Sequence, residues 1–245
     1  MQDYIFDYNE YKKRTKKPIK INFSLTIFFV IILLGLCVFL NQTKTSYIEY
    51  NFVDVGQFSN YSQASKFAQN LSSQNGAGFI YFDDCYHVFA GFYTSKTDAE
   101  KVAKNIVEFY PNATATTISA NKFKTKSNLK KAQNIAIKNQ INTNENIIES
   151  ISNLSIELDL NNITTTAFNL KITQIVDEFS STFKVLNSCL FNDKTKRFDL
   201  SKYLTEIKNS LTNIQSASAQ ELPQKVKYEL INIVVNNIRF LNALV

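Results

Sequence analysis

Hydrophobic and polar positions fall into three rhythms along the chain. Residues 21–40, Ile-Asn-Phe-Ser-Leu-Thr-Ile-Phe-Phe-Val-Ile-Ile-Leu-Leu-Gly-Leu-Cys-Val-Phe-Leu, hold no charge. Between about 47 and 118, short alternating runs exchange with stretches of helical spacing. Beyond 127 apolar residues recur by threes and fours, no glycine follows Gly91, and Pro223 is the only proline after Pro111. These rhythms predict a membrane helix, a small α+β unit and a set of long helices.

The middle stretch is built from a repeat. Phe52–Leu71 lies over His87–Ile106 at an offset of 35 residues without a gap. Val53/Val88, Gly56/Gly91, Ala64/Ala99, Lys66/Lys101, Ala68/Ala103 and Asn70/Asn105 are identical pairs. Each copy reads as strand, glycine, polar loop and amphipathic helix. The spacing predicts a strand over 47–58, a helix carrying Ala64, Phe67, Ala68 and Leu71, and a strand over 79–82. After a tight Asp83-Asp84 turn come a strand over 85–93 and a second helix carrying Ala99, Val102, Ala103 and Ile106. Thr97 and Glu100 stand in capping-box spacing for that helix, and Ala113–Ile118 supplies a fourth strand. The order is β-α-β-β-α-β, with both helices on one face of the sheet.

Strand alternation sorts the sheet residues. Val53, Val55, Ile80, Phe82, Val88 and Ala90 point at the helices. Phe52, Asp54, Phe79, Tyr81, His87 and Phe89 point away. That second face is either open to a ligand or covered by the rest of the chain or a partner. Flat aromatics beside polar groups suit the apolar faces and hydroxyl edges of sugars.

The last stretch shows four apolar stripes: 137–158 (through Asn144), 168–189, 203–214 and 226–241. Asp199 or Ser201 is the expected cap of the third helix, and Pro223 suits the first turn of the fourth. Four such helices make a bundle or coiled-coil hairpin, acting as a spacer, a dimerisation module or a dock for another envelope protein. Asn144, on the apolar seam, is a candidate for setting register.

Charge adds orientation. Lys12, Lys13, Arg14, Lys16, Lys17 and Lys20 precede the apolar run, while Lys44 stands nearly alone after it. At about 1.5 Å per residue the run spans roughly 30 Å, one hydrocarbon core. The positive-inside bias predicts a single-pass cell-membrane protein with a cytoplasmic N-terminus and the bulk outside. No small-residue cleavage pattern marks a signal peptide. Expected divisions are a basic tail 1–20, a transmembrane helix 21–40, the α+β domain 46–120, a linker 121–126 and an all-α region 127–245. Residues 41–120 carry five Lys/Arg against seven Asp/Glu, a balance of −2. That disfavours nucleic acid as a partner, because a phosphate backbone demands concentrated positive charge.

Val53-Asp54-Val55-Gly56-Gln57-Phe58 has Ala64 eight residues after its glycine, and Tyr86-His87-Val88-Phe89-Ala90-Gly91-Phe92-Tyr93 has Ala99 at the same spacing. This paired pattern resembles the SPOR domain (the sporulation-related repeat) over about residues 48–120. The resemblance implies an extracytoplasmic, membrane-anchored domain that binds peptidoglycan, in particular septal glycan strands stripped of stem peptides, in cell division or sporulation. Asp54 stands where the family often carries Gln. Asp54, Gln57, Tyr81, His87 and Phe89 are the candidate glycan contacts. The alternative is an interaction or scaffold protein of an envelope complex whose SPOR-like fold does not bind sugar.

No cofactor, metal or catalytic residue is expected. His87 is the only histidine, and Cys37, Cys85 and Cys189 are scattered, too few for an ordinary zinc site. The cysteines read as small buried hydrophobes, with Cys85–Cys189 the one disulfide conceivable outside the apolar run. Asp83-Asp84 reads as turn chemistry rather than a glycosidase pair. With no acid and nucleophile expected beside His87, a triad is not predicted, and the chain reads as a non-enzyme.

Overall fold

The computed structural model describes residues 47–190 and 194–244, the side chains of 194–199 excepted. The apolar run at 21–40 and its basic flank lie outside the described residues, and the expected membrane anchor with them. Among the described residues no helix is long and apolar enough to cross a membrane. The elements are β1 (Tyr47–Phe58), α1 (Tyr61–Ser73), β2 (Phe79–Phe82), β3 (Tyr86–Tyr93), α2 (Lys96–Asn105) and β4 (Thr114–Asn121), followed by α3 (Lys131–Asp159), α4 (Thr165–Cys189), α5 (Lys194–Gln215) and α6 (Leu222–Ala243). The fold is mixed α+β: a four-stranded antiparallel sheet in the order β2-β3-β1-β4, with helices, and then a helical region.

The repeat is visible in the geometry. Asn60 caps α1 by accepting from the Ser62 amide at 2.7 Å, and Ser95 caps α2 by accepting from the Asp98 amide. These caps occupy equivalent positions of the two copies. The expected Thr97 cap is therefore corrected: α2 begins at Lys96, and Thr97 sits inside its first turn. The paired glycines also serve one purpose. A Cβ on Gly56 would stand 2.9 Å from the ring of Phe58, and one on Gly91 3.3 Å from the ring of Tyr93. Each lets the ring two residues on fold back over its strand.

Near these glycines the β1–β3 ladder slips and recovers. Val53 faces Gly91, Asp54 faces Phe89, and Gly56 faces Val88, which leaves Ala90 and Val55 without opposite residues. Two compensating irregularities of this kind shift the alternation. Phe92 thus joins Phe89 on one face although the two are three residues apart, while Phe58 joins Val53 and Val55 on the other.

The first face packs on α1 and α2. Ala64, Ala68, Leu71, Ala99 and Ala103 meet Val53, Val55 and Val88, and small alanines let the helices lie close to the sheet. Ile80 and Ala90 join this layer as expected. Phe82 does not: it ends β2 beside the turn and is exposed. The turn itself takes three residues, 83–85, so Cys85 precedes β3.

The second face is covered rather than open. Tyr50, Phe52, Phe79, Phe89 and Phe92 are buried in one core with the apolar residues of α3, α4, α5 and α6. Phe52 stacks on Phe89 with ring centroids 4.7 Å apart, and Phe79 packs on Tyr228 of α6 at 5.2 Å. Full burial of one such side chain is worth about 1.5–3 kcal/mol, so five on one face bind a cover strongly. α6 lies between the sheet and the other helices. Beyond the expected stripe of Val226, Leu230, Val234, Ile238 and Leu241, it also buries Ile231, Ile233, Val235 and Phe240.

A polar chain crosses this apolar junction. Gln140 Nε2 donates to Asn144, Asn144 Nδ2 donates to Asn237, and Asn237 Nδ2 donates to both Tyr50 and Glu145, each at 2.8–2.9 Å. The Tyr50 hydroxyl donates to Glu145 at 2.5 Å. Asn144 thus fixes α3 against α6, and the network ties both to β1. Burial, with the Glu145 carboxylate next in weight, pushes the Tyr50 phenol far above its usual range. α5 begins at Lys194, not at the expected Asp199 or Ser201. Cys85 and Cys189 are both free.

Two outcomes follow from this packing. Phe52→Ala should cost about 3–5 kcal/mol, and urea unfolding should stay one transition, because sheet and helices share the core; separate transitions would contradict the shared core. The raised Tyr50 value means that the folded state holds a proton the unfolded chain releases near pH 10. Its contribution is complete below that pH and is lost above it. Tyr50→Phe should therefore shrink the alkaline fall in stability, as followed by thermal melts between pH 8 and 11.

Candidate functional site

α6 crosses the sheet obliquely. Its first turns reach the start of β2, where Gln224 donates to the Ala77 carbonyl and Lys227 to the Asn75 carbonyl. Its last turn meets the end of β4, where Asn242 accepts from the Asn121 amide. The opposite end of the second face carries Gln57, His87 and Tyr81, which stand side by side in the β1–β3–β2 register.

All five sequence-predicted residues meet here. His87 Nδ1 is 2.7 Å from Asp54 Oδ2, and Gln57 Nε2 donates to the same oxygen at 3.3 Å. Tyr81 stacks on Phe89 at 5.6 Å, and the His87 ring lies 6.1 Å from Phe89 and 6.4 Å from Tyr81. Their accessibility follows the covered alternative for this face rather than the open one. Phe89 is fully buried and Asp54 is 1% exposed, so neither presents a contact surface. The cause is α6 above Phe89 and the closure of Gln57 and His87 over the carboxylate. Gln57 is exposed, Tyr81 half-buried, and the His87 side chain keeps 16% of its surface. Burial pushes the Tyr81 phenol up, Asp83 adds to this, and Arg239 opposes it. Beside the turn, exposed Phe82 and Tyr61 both pack on Tyr86, at 4.8 and 5.7 Å.

Asp54 is well provided with donors. Its Oδ1 accepts from the Gly56 amide at 3.1 Å, while Oδ2 takes Gln57 and His87. A carboxylate oxygen only accepts, so Nδ1 of His87 carries the proton toward it. Nε2 then faces Cys85, whose Sγ is 3.5 Å away. The expectation that His87 lacks an acid and a nucleophile beside it is corrected by this line of thiol, imidazole and carboxylate. Sequence reasoning read Cys85 as a small buried hydrophobe. The available signal was the spacing Cys85, His87, Phe89, which alternation puts on one side of a strand. Thiol and carboxylate sit on different ring nitrogens rather than converging on one point. Among the described residues no group of His, Cys, Asp and Glu is placed to hold a metal ion.

The comparisons agree with the repeat. Residues 50–117 match the model of the SPOR domain family. SPOR domains form a peptidoglycan-binding family. The match spans β1 to β4 and leaves the helical region outside it. No curated protein and no solved structure matches the chain.

Within the matched segment, Asp54→Ala should cost about 3 kcal/mol, since it removes the acceptor of three donors beneath a half-buried histidine. Chemical denaturation measures this. A cost near zero would mean that solvent already satisfies those donors.

Proposed function

We propose that the chain is a non-catalytic envelope protein that binds peptidoglycan glycan strands, denuded septal glycan in particular, through its SPOR segment. The single observation that carries this is the family match over 50–117, which points to peptidoglycan binding in cell division. The uncovered end of the second face supports it. There half-buried Tyr81, stacked on Phe89, offers aromatic surface for a sugar's apolar face, and Gln57 and His87 offer polar groups for hydroxyls. Residues 21–40 would hold the protein in the cell membrane with its N-terminus in the cytoplasm, which keeps the SPOR segment beside the wall.

A second reading draws on a specific observation. The core of the sheet face is filled by the chain's own helices. That favours a scaffold role in an envelope complex, in which the SPOR fold packs on helices instead of sugar. Exposed Leu160, Leu170 and Val185 on and beside α4 are available apolar contacts for a protein partner.

Pelleting of the full chain with purified sacculi separates the two. Glycan binding predicts co-sedimentation that rises when amidase strips the stem peptides. Replacing both Tyr81 and Gln57 by Ala should then weaken it about tenfold, roughly 1.4 kcal/mol. A folded chain that ignores both preparations would sink the sugar reading and leave the scaffold.

A further inference from the structure

We propose that Cys85 is a reactive thiol, activated by His87 and Asp54, that forms mixed disulfides with disulfide-bearing partners. Geometry carries this. Asp54, almost fully buried, orients the imidazole through Nδ1 at 2.7 Å. The other ring nitrogen is 3.5 Å from Cys85 Sγ, within hydrogen-bond reach for sulfur. A nucleophile within reach of a base that a third group orients is the general pattern of an activated nucleophile. Cys85 stands at the exposed hairpin turn and is half-buried, so an incoming group can reach it.

The equipment suits a disulfide. Exchange requires a thiolate and an in-line approach to sulfur, with no oxyanion to stabilise. The Cys85 S–H proton passes to His87 Nε2. The thiolate attacks one sulfur of the disulfide, a Cys85–S–S–R bond forms and the old S–S bond breaks. The departing thiolate takes the proton from His87, so the products are a mixed disulfide and one free thiol. No net oxidation occurs beyond what the disulfide supplies. The event is stoichiometric, so it stands beside a binding function without turnover.

The surroundings weigh on both sides. Asp83 and Asp84 of the turn oppose a thiolate by charge and disfavour anionic partners. His87, once protonated, favours it from β3, while Arg239 of α6 acts on the neighbouring Tyr81. Tyr81 lies across the β2–β3 pair from His87, and Tyr86 adjoins it on β3. A neutral or cationic disulfide is thus the partner class that fits.

The probe is 4,4′-dithiodipyridine on the full-length folded chain, with labelling at Cys85 and Cys189 read by peptide-resolved mass spectrometry. At pH 6.5 Cys85 should react at least about tenfold faster than Cys189, which packs against the core. His87→Gln should lower the Cys85 rate about tenfold at pH 6.5 and leave it nearly unchanged at pH 9, where base assistance is dispensable. Asp54→Asn should lower it in the same direction. Unchanged Cys85 reactivity in His87→Gln, with Cys189 still protected, would overturn the proposal. Should His87→Gln unfold and Cys189 become labelled, the wild-type profile decides. A Cys85 rate that falls tenfold per pH unit from 8 to 6 is that of an unassisted thiol and overturns it, whereas a shallower fall supports it.

Discussion

A sheet face bearing Tyr50, Phe52, Phe79, Phe89 and Phe92 cannot stand in water, and the architecture is arranged around that constraint. The Phe52–Phe89 stack lies at the middle of the face, and α6 covers it. α6 in turn has almost no solvent side, because it packs on strands below and on α3 and α5 above. The sheet and the helical region are therefore not two cores joined by a linker but two sides of one layer. The chain of amides from Gln140 through Asn144 and Asn237 to Tyr50 fixes the register of that layer. Apolar contact tolerates sliding; a row of buried hydrogen bonds does not, since each lost partner costs about 1–3 kcal/mol.

How far the sequence disclosed this depends on the kind of signal. The repeat disclosed the sheet, both helices over its first face and the sidedness of Val53, Val55, Val88, Phe52 and Phe89. Those features depend on periods of 2 and 3.6 residues, which survive in one sequence. The cover on the second face depends on a contact between segments more than a hundred residues apart, and no local period encodes it. A cue was nonetheless present. The run Ile231-Asn232-Ile233-Val234-Val235 is apolar on more than one side of a helix, and a helix apolar all round is buried. Reading only the stripe of Val226, Leu230 and Val234 missed it. Phe92 was illegible for a different reason: the slip beside Gly91 moves it across the sheet, and a slip breaks the alternation that sequence reading relies on.

The candidate site follows from the cover. α6 takes the middle of the second face and leaves one end, where Gln57, Tyr81 and His87 remain accessible. Asp54 sits beneath them at 1% exposure, held by an amide, a carboxamide and an imidazole. A buried carboxylate with three donors is a fixed anchor, and it fixes the tautomer of the one histidine. Sequence alternation put Asp54 and His87 on a common face. It did not foresee their direct pairing, which needs the register of β1 on β3, nor the role of Cys85, which that pairing creates.

Glycan contact and thiol chemistry converge on His87 and Asp54, so substitutions at those two positions bear on both and discriminate neither. The discriminating positions lie to either side. Tyr81 and Gln57 border the open end of the sheet and make no contact with the thiol among the hydrogen bonds described for the site. Cys85 belongs to the turn and contributes no flat surface for a sugar. A loss of wall binding confined to Tyr81 and Gln57, with thiol reactivity intact, assigns the sheet end to glycan and the turn to sulfur. Loss of both from either side means instead that the end of the sheet acts as one rigid unit, held by the Asp54 carboxylate beneath it.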